Sequence, residues 1–161
     1  MPYRAAVLTV SDRSASGQRE DASGPIAVAA LREDGFSCDD ALVIPDGADS
    51  VERALSAFIE AGARLIVTTG GTGVGPRDAT PEGTLRLLTR SVPGIAEELR
   101  RRGAAEMPAG MLSRGVAGVV DPYGAFVVNL PGSPAAVASG MPVVLSVARH
   151  VLDQVGGGDH A

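Results

Sequence analysis

Short apolar runs alternate with segments of helical periodicity along most of this 161-residue chain. Residues 5–10 are almost entirely apolar, which is typical of a strand buried on both faces. Residues 36–44, which end in the apolar residues 41–44 before Pro45, predict a second strand. Residues 64–69 form the clearest strand, because β-branched and apolar side chains follow one another without interruption. We therefore expect these strands to lie inside a sheet that is covered on both sides.

Apolar positions spaced three and four residues apart predict helices after these strands. The first helix has Pro25 in its first turn and stops at Gly35, and the second starts at a capping-box-like pair, Asp49 and Glu52. After the third strand, Thr80 is expected to be an N-cap with Pro81 at the first helical position. Further helical patterns run from Pro93 to Arg102, over 108–112 and over about 143–155.

Residues 115–120 and 125–130 flank Asp121-Pro122-Tyr123-Gly124, which predicts an antiparallel hairpin closed by a type I turn. Strands alternating with helices favour a three-layer α/β/α fold with a mostly parallel central sheet, to which the hairpin adds an antiparallel strand. We expect residues 1–155 to form one domain and 156–161 a flexible tail. The loops after the parallel strands should then converge at one edge of the sheet, where open α/β folds bind ligands.

Composition narrows the classes of function. The formal net charge is −5, which argues against a broad nucleic-acid surface. All 14 basic residues are arginine, so lysine chemistry is excluded and any cationic contact to phosphate must come from arginine. The single cysteine, Cys38, and an N-terminus without the features of a signal or a membrane span lead us to expect a cytoplasmic protein.

The glycine-rich segment Gly70-Gly71-Thr72-Gly73-Val74-Gly75 lies between a strand and a helix. Glycines there let backbone amides approach an anion, and the helix dipole favours negative charge, so the segment predicts phosphate binding. A purely structural glycine turn is the alternative. The last glycine of G-x-G-x-x-G is missing and a P-loop would need a lysine, so neither common nucleotide motif is present.

Polar residues at the other strand ends supply candidate chemistry. Arg77 and Asp78 follow the glycines, and a carboxylate beside phosphates is costly unless it holds Mg²⁺ or bonds a specific group of the ligand. The alternative for Asp78 is a loop carboxylate that bonds local backbone amides. Asp46 follows the second strand in a Pro-Asp-Gly turn, which has a structural explanation of its own. Ser11-Asp12-Arg13 and Pro131-Gly132-Ser133 are either ligand loops or ordinary turns. We expect His150 and His160 to be structural or exposed.

Six segments in this order closely resemble the MoaB/Mog family of molybdopterin adenylyltransferases: 11–13, 44–46, 68–73, 77–82, 112–114 and 129–134. The resemblance implies that the terminal phosphate of molybdopterin attacks the α-phosphate of ATP, with Mg²⁺, to give adenylylated molybdopterin and pyrophosphate. It also implies a homotrimer whose partners are small molecules. From the net charge and the apolar pattern we expect neither a nucleic-acid nor a membrane partner. A pterin-binding protein without transferase activity and a nucleotide-processing relative remain alternatives.

Carried over by position, the resemblance makes Asp46 and Asp78 the active-site carboxylates, with Asp78 the candidate Mg²⁺ ligand. The pterin- and nucleotide-binding residues that it implies, together with those argued above from loop position, are Ser11, Asp12, Arg13, Thr69, Gly70, Gly71, Thr72, Gly73, Arg77, Thr80, Pro131, Gly132 and Ser133.

Overall fold

A computed structural model describes residues 2–158 of the chain. In this part of the chain the strands are β1 (Arg4–Val10), β2 (Ser37–Cys38), β3 (Leu42–Ile44), β4 (Leu65–Thr69), β5 (Arg90–Ser91), β6 (Ala117–Val120) and β7 (Ala125–Leu130). The α-helices are α1 (Asp12–Ala15), α2 (Gly24–Glu33), α3 (Ala48–Glu60), α4 (Thr80–Leu85), α5 (Pro93–Glu106) and α6 (Pro134–Val155), and a 3₁₀ helix spans Pro108–Leu112.

All of these strands belong to one sheet with the order β2-β1-β4-β7-β6-β5, and β3 pairs with β1 on the same side as β2. The pairs of β1 with β2, β3 and β4, and of β4 with β7, are parallel. β6 runs antiparallel to both β7 and β5. The predicted mostly parallel sheet with an antiparallel hairpin is therefore confirmed.

Alternate side chains of the central strands enter two separate cores, one on each face of the sheet. On one face Val7, Val67 and Val128 pack under α2, α5 and α6, and on the other Leu8, Ile66 and Val127 pack under α3. Because both faces are buried, the strands are apolar at nearly every position, which is the pattern that made them recognisable. The three-layer α/β/α prediction is confirmed.

Several elements differ from their predictions. The single strand predicted at 36–44 is in fact two short strands, β2 with two residues and β3 with three, and the polar residues Asp39 and Asp40 lie between them. The short elements α1 and β5 were not predicted, because four and two residues carry too little periodicity. The tail predicted at 156–161 lies partly outside the described residues, which end at 158 and so do not include His160. His150 is exposed on α6, as expected.

The last helix is longer than the predicted 143–155. It starts at Pro134, with the Ser133 side chain as N-cap, and passes through Pro142 without ending. Pro142 is exposed, and the neighbouring buried positions Val137, Met141 and Val144 continue the apolar face of the helix over the sheet. Packing along this face therefore compensates for the backbone hydrogen bond that proline cannot donate.

Two local predictions are wrong. Asp49 and Glu52 do not form a capping box; both accept hydrogen bonds from Arg86 Nη1, at 2.6 and 3.0 Å, and the N-cap of α3 is Gly47. The hairpin turn is not type I: the Gly124 N–H bonds to the Val120 carbonyl, which closes a loop one residue longer than a β-turn.

One helix among the described residues, α6 with 22 residues, has the length and apolar composition that a membrane span would need. Its buried face packs on the sheet, and the core helices of globular proteins pass the same test. We therefore describe α6 as a core helix.

Candidate active site

The carboxyl ends of β1, β4 and β7 form one edge of the sheet. Thr9 on β1 is aligned with Thr69 on β4, and Thr69 with Leu130 on β7, so the loops that follow these strands start side by side. β3 ends next to β1, with Ile44 opposite Val10, which brings the segment that starts at Pro45 to the same edge. Loops far apart in sequence therefore meet where open α/β sheets bind ligands.

The glycine loop, Gly70–Ala79, requires glycine at its first two positions. Gly70 and Gly71 have φ values of +97° and +69°, a region that side chains disfavour. A Cβ atom would lie 2.2 Å from the Val10 carbonyl oxygen at Gly70 and 2.2 Å from Thr80 Oγ1 at Gly71. The loop therefore packs directly against β1 and the start of α4.

Every carbonyl from Gly70 to Gly73 accepts a hydrogen bond from the protein. Thr80 donates its hydroxyl to the first (2.9 Å) and its N–H to the second (3.1 Å). Arg114 donates its N–H to the third (2.8 Å) and Nε to the fourth (2.8 Å). The N–H groups of Gly71, Thr72 and Gly73 bond to no acceptor within residues 2–158, so they are available to an anion.

Thr80 is not the N-cap that the sequence predicted. Ala79 occupies the N-cap position of α4, and Thr80 is the first helical residue, fully buried. Its hydroxyl donates to the Gly70 carbonyl, so it cannot at the same time bind a ligand as a free donor. Thr80 shapes the glycine loop from beneath.

Arg114 holds the glycine loop from outside. Besides Gly73, its guanidinium donates to the carbonyl of Asp78 (3.0 Å) and to the carboxylate of Glu82 (2.6 and 3.3 Å). This single side chain therefore ties the loop at Gly73 and at Asp78 to Glu82 on α4. No individual role was predicted for Arg114, which lies in the resembling segment 112–114, because these contacts cross the fold and leave no local pattern.

Asp12 and Asp46 are joined by a reciprocal pair of hydrogen bonds. The Asp12 N–H donates to Asp46 Oδ2 (3.0 Å), and the Asp46 N–H donates to Asp12 Oδ1 (3.1 Å). Arg77 donates through Nε and Nη2 to the two Asp12 oxygens, each at 3.0 Å, and through Nη2 to the Asp46 carbonyl at 3.1 Å. Arg77 thereby links the glycine loop to the loops after β1 and β3.

This arrangement shifts the two carboxyl groups in opposite directions. The hydrogen bond from Arg77 lowers the pKa of Asp12 below its ordinary value. Burial raises the pKa of Asp46, and the charges of Asp12 and Asp78 add to that rise. Asp46 is therefore a carboxylate whose negative charge the free protein compensates poorly, as expected of a group that meets a cation or a proton donor.

Asp78 also borders the glycine loop. Its Oδ2 accepts a hydrogen bond from the Gly75 N–H (2.9 Å), which is the local amide bonding considered as an alternative from the sequence. A Cβ atom on Gly73 would lie 2.9 Å from this oxygen, and one on Gly71 would lie 3.2 Å from Asp46 Oδ1. Both predicted active-site carboxylates are thus in contact distance of the loop.

Asp46 and Asp78 are the candidate Mg²⁺ ligands at this edge. Within residues 2–158 no three His, Cys, Asp or Glu side chains are grouped to bind a metal. Mg²⁺ is commonly held by one or two carboxylates together with waters and substrate phosphates, and Asp46 Oδ1 bonds to no donor in the same range. Asp46 and Asp78 therefore fit a cation that shares its coordination with a phosphate ligand.

The turn Pro131-Gly132-Ser133 lies against the glycine loop, since a Cβ on Gly132 would be 3.3 Å from Gly70 Cα. Its first two carbonyls accept hydrogen bonds from Thr69 Oγ1 (2.7 Å) and Ser23 Oγ (2.6 Å). The Ser133 hydroxyl accepts from Ala136 N–H and caps α6. The amides of Gly132 and Ser133 find no acceptor in the described part of the chain.

A cavity of about 360 Å³ opens beside this turn, between α5, the 3₁₀ helix and the first half of α6. A volume of this size falls within the range of small-molecule pockets. Apolar groups line most of it, including Leu99, Met107, Ala136 and Val143, while Asn129, Ser113 and Ser133 add polar atoms at the sheet edge. Arg100 and Arg102 also line the cavity, which therefore suits a flat ring with apolar faces and polar edges that carries an anionic group.

Residues 6–150 match the family model described as a probable molybdopterin binding domain. The chain belongs to this molybdopterin-binding domain family. Its predicted resemblance to MoaB/Mog proteins is confirmed by a solved structure, the molybdopterin biosynthesis Mog protein from Mycobacterium ulcerans. That structure is 43% identical, has a TM-score of 0.88, and the match covers 95% of this chain and 99% of the other.

Two curated relatives show how the domain is used elsewhere. A molybdopterin adenylyltransferase from Pyrococcus furiosus is 37% identical, over 93% of this chain and 89% of the relative. A molybdenum cofactor biosynthesis bifunctional protein from Synechococcus elongatus is 41% identical, over 97% of this chain and 48% of the relative. This chain spans about half the length of the bifunctional relatives.

For this molybdopterin-binding domain, the structure brings nearly all of the predicted site residues to one edge. Ser11 caps α1 through its hydroxyl, and Arg13 is exposed and makes no side-chain hydrogen bond within residues 2–158. Thr69, Thr80 and Arg77 bond to protein groups that shape the loops. Ser23, which holds the Pro131 turn, was not predicted, because serine before a helix has an ordinary capping explanation.

Proposed function

We propose that this protein catalyses the Mg-ATP-dependent adenylylation of molybdopterin. The observation that carries the proposal is the pair of adjoining amide sets, one in the glycine loop and one in the Pro131 turn, beside the Asp46 carboxylate. Two adjacent anion sites are what a reaction between two phosphate groups needs. The P. furiosus relative that bears the name molybdopterin adenylyltransferase supports the same reaction.

In this reaction an oxygen of the terminal phosphate of molybdopterin forms a bond to the α-phosphorus of ATP. The bond between that phosphorus and the bridging oxygen to the β-phosphate breaks, and pyrophosphate leaves with the bonding electrons. No protein nucleophile is needed, which agrees with a site built from amides, arginines and carboxylates. Holding two anions in line is the main task, and such alignment is worth up to roughly 7–11 kcal/mol of barrier in intramolecular models.

We assign the pterin ring to the cavity beside α6 and its phosphate to the amides of Gly132 and Ser133. The glycine-loop amides of Gly71, Thr72 and Gly73 then receive the α-phosphate of ATP. Contact between Gly70 and Gly132 keeps the two sets of amides adjacent. Fixed amide dipoles stabilise charge without rearranging, so they suit a transition state in which charge spreads over the phosphate oxygens.

Asp46 and Asp78 would hold Mg²⁺ together with phosphate oxygens. A magnesium ion bound there would neutralise negative charge on the triphosphate. Asp12 and Arg77 fix the backbone of Asp46, and the Asp46 carboxylate meets the nucleotide at the glycine loop. We further propose a cytoplasmic homotrimer, in which the exposed side chains of Met107, Met111 and Leu112 are covered by a second copy.

The decisive assay mixes the purified chain with molybdopterin and Mg-ATP and follows adenylylated molybdopterin and pyrophosphate. We expect turnover by the wild type and a loss on the order of 100-fold or more in Asp46→Asn and Asp78→Asn, with the fold intact by circular dichroism. Asp39 is an exposed carboxylate in the segment between β2 and β3, so Asp39→Asn is the control and its turnover should match that of the wild type.

Tight molybdopterin binding without pyrophosphate release would instead identify a binding protein. Turnover of a nucleotide in the absence of the pterin would indicate a nucleotide-processing enzyme. Either result would refute the proposed reaction.

A further inference from the structure

The two inner carbonyls of the Pro131 turn are held by hydroxyl groups that lie beneath it. Thr69 Oγ1 donates to the Pro131 carbonyl at 2.7 Å and Ser23 Oγ donates to the Gly132 carbonyl at 2.6 Å. Both side chains are buried, with 1% and 5% of their surface exposed. They are therefore out of reach of a ligand in the cavity and serve the turn itself.

Peptide geometry makes these contacts decisive for the amides of the turn. In a planar trans peptide the C=O of one residue and the N–H of the next are directed to opposite sides. The carbonyl of Pro131 shares its peptide with the N–H of Gly132, and the carbonyl of Gly132 with the N–H of Ser133. Fixing both carbonyls inward fixes both N–H groups outward, and neither N–H has an acceptor in residues 2–158.

Ser23 is itself held in place by Asp21. Asp21 Oδ1 accepts from the N–H groups of Ser23 (3.2 Å) and Gly24 (2.9 Å), and Oδ2 accepts from Thr9 Oγ1 (2.8 Å). A Cβ on Gly24 would lie within 2.3 Å of Asp21 Oδ2, so the segment packs as closely as glycine permits. The chain from β1 through Asp21 to Ser23 leaves the hydroxyl little freedom.

We propose that Ser23 and Thr69 are positioning residues that orient the Gly132 and Ser133 amides toward the phosphate of the pterin substrate. The inference rests on the proposed function. The proposed role concerns the binding of the pterin and not of ATP, because the glycine loop assigned to ATP is held by Thr80 and Arg114 instead. Losing either hydroxyl should therefore weaken the binding of molybdopterin and leave the binding of ATP nearly unchanged.

The test compares Ser23→Ala and Thr69→Val with the wild type. Each variant removes one hydrogen bond from a carbonyl, and valine keeps the shape of threonine. A hydrogen bond of this kind is worth about 0.5–1.5 kcal/mol, so we expect the KM and the equilibrium Kd for molybdopterin to rise about 2- to 12-fold. The KM for ATP should stay within about twofold, since the glycine loop keeps all of its own hydrogen bonds.

Two further variants separate positioning from general damage. Ser146→Ala removes a hydroxyl that also donates to a carbonyl at 2.6 Å, that of Val143 inside α6, and should leave both substrate affinities unchanged. Thr69→Ser keeps the hydroxyl and should recover the affinity that Thr69→Val loses. Unchanged molybdopterin affinity in Ser23→Ala and Thr69→Val, or an equal loss for both substrates, would overturn the inference.

Direct binding of molybdopterin, measured by equilibrium dialysis, keeps this test distinct from that of the proposed function. If the wild type binds molybdopterin but shows no adenylylation, the proposed reaction fails while the Kd comparison still decides the role of Ser23 and Thr69. If turnover is normal and the Kd does not change in either variant, the positioning role fails and the reaction stands.

Discussion

Replacing Arg114 by methionine tests how the glycine loop is held. Methionine retains an unbranched, flexible side chain but none of the donors that reach Gly73 O (2.8 Å), Asp78 O (3.0 Å) and the Glu82 carboxylate (2.6 and 3.3 Å). Two bonds from a charged donor to part-buried carbonyls are worth roughly 1–1.5 kcal/mol each once partial exposure is allowed for. The ion pair, with side chains 37% and 50% exposed, adds at most about 1 kcal/mol.

We therefore expect Arg114→Met to lower the free energy of unfolding by about 2–4 kcal/mol, which corresponds to a fall in Tm of roughly 5–15 °C for a domain of this size. Released carbonyls would also let the loop amides turn away from the phosphate, so turnover should fall more steeply than stability. Urea unfolding at pH 7 gives the first quantity and pyrophosphate release gives the second.

Glu82→Gln is the matched control, because it removes the ion pair and leaves both carbonyl contacts in place. It should cost less than about 1 kcal/mol and change turnover little. If the two variants lose the same stability, or if Arg114→Met keeps wild-type turnover, then the bonds to Gly73 and Asp78 do not hold the loop and our reasoning about it is wrong.

Three other predictions concern single positions. Gly71→Ala should abolish turnover and lower Tm, because the φ of this residue is +69° and a Cβ atom would lie 2.2 Å from a buried hydroxyl. In Gly94→Ala, the control, the Cβ would meet no atom within 4 Å, so the free energy of unfolding should match the wild type or rise by up to about 1 kcal/mol. Asp46→Asn should raise Tm at pH 7 while turnover is lost, since burial raises the pKa of Asp46 and its charge therefore disfavours the fold; an unchanged or lower Tm would contradict this. Arg101 and the arginine after it hold the pKa of Glu98 at about 2, below its ordinary value of 4.5. The contribution of Glu98 to the free energy of unfolding is therefore present above pH 4.5 and is lost as pH falls toward 2. In Glu98→Gln, the free energy of unfolding measured in urea should depend less on pH over this range.

The sheet could be predicted because burial on both faces leaves a strong one-dimensional pattern. Residues 5–10, 64–69 and 125–130 contain few polar positions, and each is a central strand. The convergence of their loops followed from parallel pairing alone. The edge at which the candidate site lies was therefore predictable, although the contacts among its residues were not.

The contacts within the site depend on pairs that lie far apart in sequence. Thr80 has the sequence context of an N-cap, and only its distance of 2.9 Å to the Gly70 carbonyl shows that its hydroxyl donates to the loop. Asp49 and Glu52 have the spacing of a capping box, yet Arg86 is close enough to bind both. Local propensity is a weak preference that tertiary contacts override, and here they did so at Thr80, Asp49 and Glu52.

Two arginines beside the glycine loop are bonded to protein groups in the structure. The sequence required that any cationic phosphate contact come from arginine, but Arg77 is engaged by Asp12 and Arg114 by Glu82 and loop carbonyls. Their guanidinium groups therefore hold the loops in place. In the reaction that we propose, phosphate is therefore bound by backbone amides, whose dipoles are fixed by those loops, and by Arg13, which is exposed. Substituting either engaged arginine should therefore act through loop geometry, so restoring positive charge with lysine will not restore turnover, because lysine lacks the planar fork that joins several acceptors at once.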